Sequence, residues 1–230
     1  MIDAPPIALA IETSQRQASV ALGRGDGLIE SRELPQLKRH NLELMPTVDA
    51  IMRDQGMGPG DLSEAYVSVG PGSFTGLRVA VATGKLLALA LPAIRLVAVP
   101  TLDVLAAQAP TGVEHVAVCL NTKKDTVYAA TFSPVDEAGV RHPLAPPTLT
   151  TLADLLRDAS PGTALLGDPL PDAPDGVTVL DPALALPHAA TVYRLGRHLA
   201  DTGAFVDPHA LMPIYAREPE AVSLWKQRHG

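Results

Sequence analysis

The 230-residue chain lacks several features that whole classes of function require. It contains one cysteine, Cys119, so no internal disulfide can form, and a reducing compartment is compatible with the composition. Basic residues are outnumbered, because 18 Lys and Arg stand against 25 Asp and Glu and the formal net charge is −7. Since nucleic-acid backbones are held by clustered Lys and Arg, we do not expect the chain to grip nucleic acid unaided.

Long apolar runs and closely spaced histidines are also missing. Arg78, Lys85 and Arg95 interrupt the most apolar region, which argues against a membrane span. The N-terminus has no basic segment followed by a long apolar stretch, so we expect no secretory signal and a cytoplasmic location. No two of the seven histidines lie three to five residues apart, and we therefore predict no metal site.

The most informative segment that is present covers residues 66–91. Its pattern predicts a short apolar strand, a turn at Gly70-Pro71-Gly72, and a long helix that Ser73 or Thr75 is suited to cap. A strand, a glycine turn and a helix start together can present backbone N–H groups to an anion. The same arrangement also packs a helix closely on a sheet. Gly70, Gly72 and Ser73, with Glu12 at the first turn of the chain, are the candidates for a phosphate-binding loop.

This turn does not match the well-defined catalytic loops. A Walker A loop needs a glycine five residues before a Gly-Lys-Ser/Thr triplet, whereas Gly84-Lys85 is preceded by Val79 at that spacing and followed by Leu86. A dinucleotide fingerprint needs its third glycine where Thr75 stands. A nucleophile elbow needs a serine where Phe74 stands. The sequence therefore assigns no catalytic residue to the loop.

Small residues recur at every fourth position of the helix that follows. Gly76, Ala80, Gly84 and Ala88 form one stripe, which would allow another helix to approach closely, and Leu87 extends an adjacent apolar face. A helix that is apolar almost all round is buried on more than one side. One side is expected to meet its own sheet. The other meets either a second helix of this chain or a partner protein, and the pattern leaves both alternatives open.

The second half of the chain repeats the plan of the first. Residues 7–11 and 18–22 predict a strand hairpin, and residues 41–55 predict a helix that carries Leu42 and Met45. Residues 116–123 align with residues 7–14, and residues 164–169 echo the strand and turn at 67–71. We interpret this as an internal duplication of an α/β unit, with chance similarity between buried hairpins as the alternative. The predicted lobes are residues 1–100 and 101–230, with the last segment packing back on the first lobe.

Four segments together resemble the TsaB (YeaZ) family. They are Ala10-Ile11-Glu12-Thr13-Ser14, the string from Val69 to Arg78 that reads VGPGSFTGLR, Asn121-Thr122-Lys123 with Val127-Tyr128, and the closing motif at residues 213–222. The glycine-rich string is highly specific, and the segments span nearly the whole chain. The resemblance implies an α/β fold of the ASKHA type (actin, sugar kinase and Hsp70), with two related lobes.

The resemblance also implies a function in making threonylcarbamoyladenosine on the tRNA adenosine that follows the anticodon. A TsaB protein is expected to be a non-catalytic subunit without a cofactor that binds the catalytic subunit TsaD, while the ATPase TsaE joins the pair. It is expected to meet tRNA only within that complex and to form homodimers when isolated. The family's contact uses the two helices of the first lobe. The expected interface residues here are Leu42, Met45, Gly76, Ala80, Gly84, Leu87 and Ala88.

Two departures from the family pattern concern the hairpin turns. Glu12 stands where the family usually carries Asp, and Asn121-Thr122-Lys123 stands for Asp-Ala-Arg. The alternative function is an ATP-dependent phosphotransferase of the same fold that uses Glu12 and the loop at residues 70–76. A peptidase is a third interpretation, but no residue set selects a catalytic triad. Both departures weaken the case for phosphate chemistry, and neither affects the expected helix interface.

Overall fold

The computed structural model describes residues 4–35, 40–123, 126–157, 159–167 and 177–216. Its strands are β1 (Ile7–Glu12), β2 (Ser19–Arg24), β3 (Gly27–Glu33), β4 (Glu64–Gly70), β5 (Arg95–Pro100), β6 (Val116–Lys123), β7 (Thr126–Phe132), β8 (Thr148–Thr151) and β9 (Ala164–Gly167). Its α-helices are α1 (His40–Asp54), α2 (Phe74–Ala90), α3 (Thr101–Gln108), α4 (Leu152–Arg157) and α5 (Ala189–Asp201). The predicted strands and helices of both halves are present, with bounds shifted by one to three residues.

Two sheets repeat one strand order. The first sheet has the order β3-β2-β1-β4-β5, and the second has β8-β7-β6-β9. Each begins with an antiparallel hairpin of the same register, since Ile7 pairs with Arg24 at one end of β1 and Val116 pairs with Phe132 at the same end of β6. At the position that β5 takes in the first sheet, the second has a parallel bridge between Leu165 and Val179. The duplication predicted from sequence is therefore visible in the topology.

The first sheet is covered on both faces, because the apolar residues of its strands point alternately to opposite sides. Leu9 and Ile11 of β1 pack in the core that α1 and α2 cover. Ala8 and Ala10 pack in a second core with α5. The helix α5 comes last in the described chain, and it nevertheless lies on the first sheet, in contact with β1, β2, β4 and β5.

The helix ends follow local signals with one exception. The Ser73 hydroxyl accepts a hydrogen bond from the Gly76 N–H (3.3 Å), so Ser73 caps α2 as predicted. The exception is α3: Thr101 is a residue type suited to capping, but it is the first helical residue, and its hydroxyl pairs with that of Ser68 at 3.1 Å. After α5, Gly203 has φ +77°, a left-handed conformation that favours glycine and ends the helix.

Some sequence predictions fall outside the described residues. They are residues 217–222 of the closing motif and residues 168–169 of the segment that echoes the first glycine turn. Within the part of the chain that the structure describes, no helix is both long and apolar enough to cross a bilayer.

Candidate functional site

The glycine-rich loop at residues 70–76 lies directly on the turn that follows β1. The Thr13 hydroxyl donates to the Gly76 carbonyl (2.7 Å), and the Ser73 N–H donates to the Ser14 carbonyl (2.5 Å). The backbones are so close that a Cβ on Gly76 would lie 1.8 Å from the Thr13 oxygen, and one on Gly72 would lie 2.1 Å from the Ser14 oxygen. Glycine is therefore required at both positions by close packing of the loop on the turn.

Glu12 ends β1 beneath this loop, and its side chain is fully enclosed. Its exposed fraction is 0%, and one carboxylate oxygen, Oε1, accepts a hydrogen bond from the Ser14 N–H. The other oxygen, Oε2, and the Ser14 hydroxyl are buried without a hydrogen-bond partner among the described residues. Burial raises the pKa of Glu12 from 4.5 to about 7, against a smaller lowering effect of the hydrogen bond from the Ser14 N–H. Near neutral pH this carboxyl group therefore holds a proton much of the time.

The contacts of the loop do not favour its phosphate-binding interpretation. The N–H of Ser73 is taken by the Ser14 carbonyl, and its hydroxyl by the Gly76 N–H. The Glu12 carboxyl has no exposed surface through which it would meet a phosphate or a hydrated ion. Gly70 has φ +107° and is covered by the backbone of Ile214, whose oxygen would lie 2.5 Å from a Cβ there. Of the two uses that the sequence left open, the loop serves the close packing of a helix on a sheet.

The small-residue stripe of α2 also faces inward, so its expected orientation toward a partner is wrong. Gly76, Ala80 and Gly84 are buried. A Cβ on Gly84 would meet Val67 of β4 at 3.0 Å and Leu211 at 3.1 Å, both in the same chain. Among the other expected interface residues on α2, Leu87 and Ala88 are partly buried and pack against the same core. Small residues recur here because α2 lies close to its own sheet.

The outward face of α1 and α2 is nevertheless apolar. On α1, the expected residues Leu42 and Met45 are 58% and 48% exposed. On α2, Leu86 and Leu89 are 62% and 78% exposed, and the interface prediction omitted both. We call these four residues the α1–α2 patch. Leu86 continues the four-residue spacing of Arg78 and Ala82, which are also exposed, but this spacing identifies the outward face only once the buried side of α2 is known.

Residues 207–216, which we call the C-terminal strap, run along α2 in the opposite direction. Near the end of α2, the Lys85 ammonium group donates to the His209 carbonyl (3.3 Å). Near its start, the centroids of the Tyr215 and Phe74 rings are 4.9 Å apart. The Arg78 guanidinium lies over the same Phe74 ring, 3.9 Å from its centroid. The Ile214 N–H donates to the Val69 carbonyl at the end of β4 (2.7 Å). The strap and the first turn thus hold α2 from two sides.

The second hairpin offers no comparable enclosure. Asn121, which aligns with Glu12, is exposed. Cys119 is buried in β6, and burial raises the pKa of its thiol to about 12, which disfavours the reactive thiolate. Within the described ranges, no group of three or more His, Cys, Asp or Glu side chains is arranged to hold a metal ion. Of the two hairpin turns, the first encloses a carboxyl group and the second does not.

Several known proteins similar to this chain are named for one pathway. Residues 33–168 match the family described as "TsaD: tRNA N6-adenosine threonylcarbamoyltransferase". The tRNA threonylcarbamoyladenosine biosynthesis protein TsaB of Bacillus subtilis is 41% identical over 99 residues, which span 43% of each chain. The TsaB protein of Escherichia coli is 26% identical over 232 residues, covering 96% of this chain and 98% of that protein.

Solved structures support the same relationship. YeaZ from Pseudomonas aeruginosa superposes with a TM-score of 0.76 and 26% identity, covering 91% of this chain and 99% of that one. A second structure, described as an uncharacterized protein with similarity to peptidase YeaZ from the same organism, has a TM-score of 0.76 and 25% identity, with 92% and 100% covered. Together with the two sheets of like order, these matches confirm the predicted ASKHA-like fold.

Proposed function

Because this chain belongs to the TsaB (YeaZ) family, we propose that it serves the biosynthesis of threonylcarbamoyladenosine in tRNA as a non-catalytic subunit. Its direct partner is a TsaD-type threonylcarbamoyltransferase, which it binds through the α1–α2 patch. The chain acts as a scaffold that presents two packed helices, and the chemistry takes place on the partner.

The observation that carries this proposal is the exposure of large apolar side chains on two adjacent helices. Leu42, Met45, Leu86 and Leu89 are each about half exposed or more, and α1 and α2 contact one another on the same face of the first sheet. Burying one such side chain contributes roughly 1.5–3 kcal/mol. Grouped exposed apolar residues on a protein surface mark interaction sites. A partner with its own apolar helix face fits this surface.

The α1–α2 patch replaces the interface predicted from sequence. Leu42 and Met45 belong to both the predicted interface and the α1–α2 patch. Gly76, Ala80 and Gly84 belong only to the predicted interface, because they are buried against the chain's own sheet. The buried stripe still contributes indirectly, since it sets how closely α2 lies on β4. Leu87 and Ala88 support the patch from beneath.

The remaining expectations of the family extend this proposal. The absence of a close histidine pair favours a subunit without the metal motif that the resemblance assigns to TsaD. The ATPase TsaE joins the pair, and with a formal net charge of −7 the chain contacts tRNA only as part of the complex. In isolation the same patch pairs two copies as a homodimer. A single buried cysteine is compatible with a cytoplasmic location.

The test is binding to the TsaD protein of the same organism, measured by calorimetry and by size-exclusion chromatography with light scattering. We expect one complex from the wild-type chain. The double variant Leu86→Asp/Leu89→Asp should weaken binding at least tenfold, because removal of central apolar contacts typically costs more than ~1 kcal/mol per residue.

A matched control uses exposed leucines of the second lobe. Leu144 and Leu149 are also exposed, at 56% and 51%, and Leu144→Asp/Leu149→Asp should leave binding to TsaD unchanged. Equal binding by both double variants would show that the α1–α2 patch is not the docking surface. Separate peaks for the wild-type chain and TsaD, at all concentrations and with TsaE and ATP present, would contradict the proposed partnership itself.

A further inference from the structure

Glu12 is a buried acid at the point where the glycine-rich loop is attached to the first turn. The next two residues make that attachment: Thr13 binds the carbonyl of Gly76, and Ser14 binds the N–H of Ser73. Any movement of the Glu12 side chain toward water must displace this turn, because the carboxyl has no exposed surface. The loop in turn carries the first residues of α2.

Hydroxyl groups rather than charges surround this carboxyl. Ser19 of β2 is its partner across the hairpin, and the Ser19 hydroxyl accepts a hydrogen bond from the Ala189 N–H at the start of α5. Ser14 closes the turn, and the hydroxyl of Ser68 on β4 pairs with that of Thr101. No charged group contributes to the shift in the pKa of Glu12. An ionised Glu12 would therefore be buried without a counter-charge, an unfavourable state.

We infer that Glu12 is a proton-operated latch, which keeps the loop at residues 70–76 closed on the first turn while it is uncharged and loosens that loop when it ionises. The open form gives the carboxylate access to water. Opening is thus coupled to loss of a proton, and pH sets the balance between the closed and open loop.

The size of the effect follows from proton linkage. The carboxyl has a pKa of about 7 when enclosed and of 4.5 when solvated. If opening solvates it, the equilibrium constant for opening should rise about tenfold between pH 6 and pH 8. The unpartnered Oε2 of Glu12 is consistent with this, since it gains hydrogen bonds to water only on opening.

The latch has one consequence that rests on the proposed function. Because α2 carries Leu86 and Leu89, a loosened start of α2 costs affinity for a TsaD-type partner. Binding by the wild-type chain should weaken as pH rises from 6 to 8, and binding by Glu12→Gln should weaken less. The latch itself is tested on the isolated chain, so its failure is distinct from a failure of the partnership.

The experiment is hydrogen exchange of the full chain and of Glu12→Gln at matched pH values between 5.5 and 8.5. The amide substitution keeps the shape of the side chain and cannot ionise. The intrinsic pH dependence of exchange cancels in the ratio of the two proteins' rates. For residues 70–80 this ratio, wild type over variant, should rise about tenfold from pH 6 to pH 8. In the wild-type chain these residues should also exchange faster than β7 of the second lobe, because opening of the loop requires less free energy than global unfolding.

Two results would overturn the latch. One is a ratio that stays constant with pH at residues 70–80. The other is exchange at residues 70–80 that is as slow as in β7 of the same protein, which would indicate that both regions exchange only by global unfolding. If Glu12→Gln does not fold, the wild-type chain gives the answer by carbon NMR of its glutamate carboxyls. The latch is supported if the Glu12 carboxyl titrates with a midpoint near pH 7 and the amide shifts of Gly72 and Gly76 change with the same midpoint. A midpoint near pH 4.5, or amide shifts that do not respond, would refute it.

Discussion

The turns that end β1 and β6 start from the same hairpin plan and reach opposite environments. Glu12 pairs with Ser19 across the first hairpin, and Asn121 pairs with Val127 at the equivalent position of the second. Glu12 is fully enclosed, whereas Asn121 is exposed. The next residue is threonine in both, yet the Thr13 hydroxyl binds Gly76, 63 residues away, and that of Thr122 binds the carbonyl of Thr126, four residues away.

This difference shows how a duplicated unit acquires a new structural role without a change of topology. In the first lobe a glycine-rich loop lies on the turn, so the turn fastens the helix that carries Leu86 and Leu89 of the α1–α2 patch. In the second lobe the same residue type makes only a local contact. Four comparisons between the lobes test this view, from the largest expected effect to the smallest.

The largest effect is expected at Gly76. Gly76→Leu should prevent stable folding, because even a Cβ would lie 1.8 Å from the Thr13 carbonyl oxygen and a backbone atom cannot yield. Gly112→Leu provides the control, since nothing lies within 4 Å of the Cβ position there. Chemical denaturation with circular dichroism measures both. A Gly76→Leu protein as stable as the Gly112→Leu protein would show that the loop does not lie tightly on the turn.

A second large effect is expected from the buried acid network of the first lobe. Glu64 is fully buried and accepts hydrogen bonds from Arg95, Tyr66 and Arg197, the last at 3.2 Å from α5. Glu64→Ala should lower the free energy of unfolding by about 3 kcal/mol, because it removes the acid from a buried ion pair. Asp154→Ala removes an exposed ion pair to Arg157 in the second lobe and should change stability little. Urea denaturation measures both variants. If Glu64→Ala and Asp154→Ala lowered the free energy of unfolding by similar amounts, the two lobes would not differ in this respect.

The third comparison is the pH dependence of stability. The pKa of Glu12 rises from 4.5 to about 7 on folding, so the unfolded chain loses this proton first. Stability should fall as pH rises from 4.5 through 7 and level off above it, by about 3 kcal/mol in total relative to Glu12→Gln. Asn121→Asp places a carboxyl at the exposed equivalent position and should add no such fall. A wild-type pH profile parallel to that of Glu12→Gln would contradict the burial of an uncompensated carboxyl.

The smallest effect concerns the paired threonines. Thr13→Val removes a buried hydrogen bond to the Gly76 carbonyl, so unfolding should become easier by about 1 kcal/mol. Thr122→Val removes a partly exposed local bond, for which water can substitute, and should matter less. Thermal unfolding of the two variants gives the difference. If Thr122→Val proved the more harmful, the first turn would not be the stronger attachment.

Much of the fold was predictable because its signals are local. Alternating apolar residues marked the strands of both hairpins, and the Ser73 cap and Gly203 marked helix ends. The orientation of α2 was not predictable from its own pattern. A small-residue stripe indicates close approach, but it does not say whether the neighbour is the chain's own sheet or another protein. Leu42 and Met45 were found in advance, whereas Leu86 and Leu89 were assigned only once the buried side of α2 was known.

The sequence by itself determined the elements, the duplicated plan and the family, because these depend on periodicity, turn residues and a specific glycine-rich string. Only the tertiary structure decided what that string does. Residues 12–14 and 70–76 are far apart in the chain, and their contact, not their composition, encloses Glu12 and attaches the loop to the first turn. The physical reason is that desolvation and steric closeness belong to pairs of segments brought together by folding, and neither segment carries that information alone.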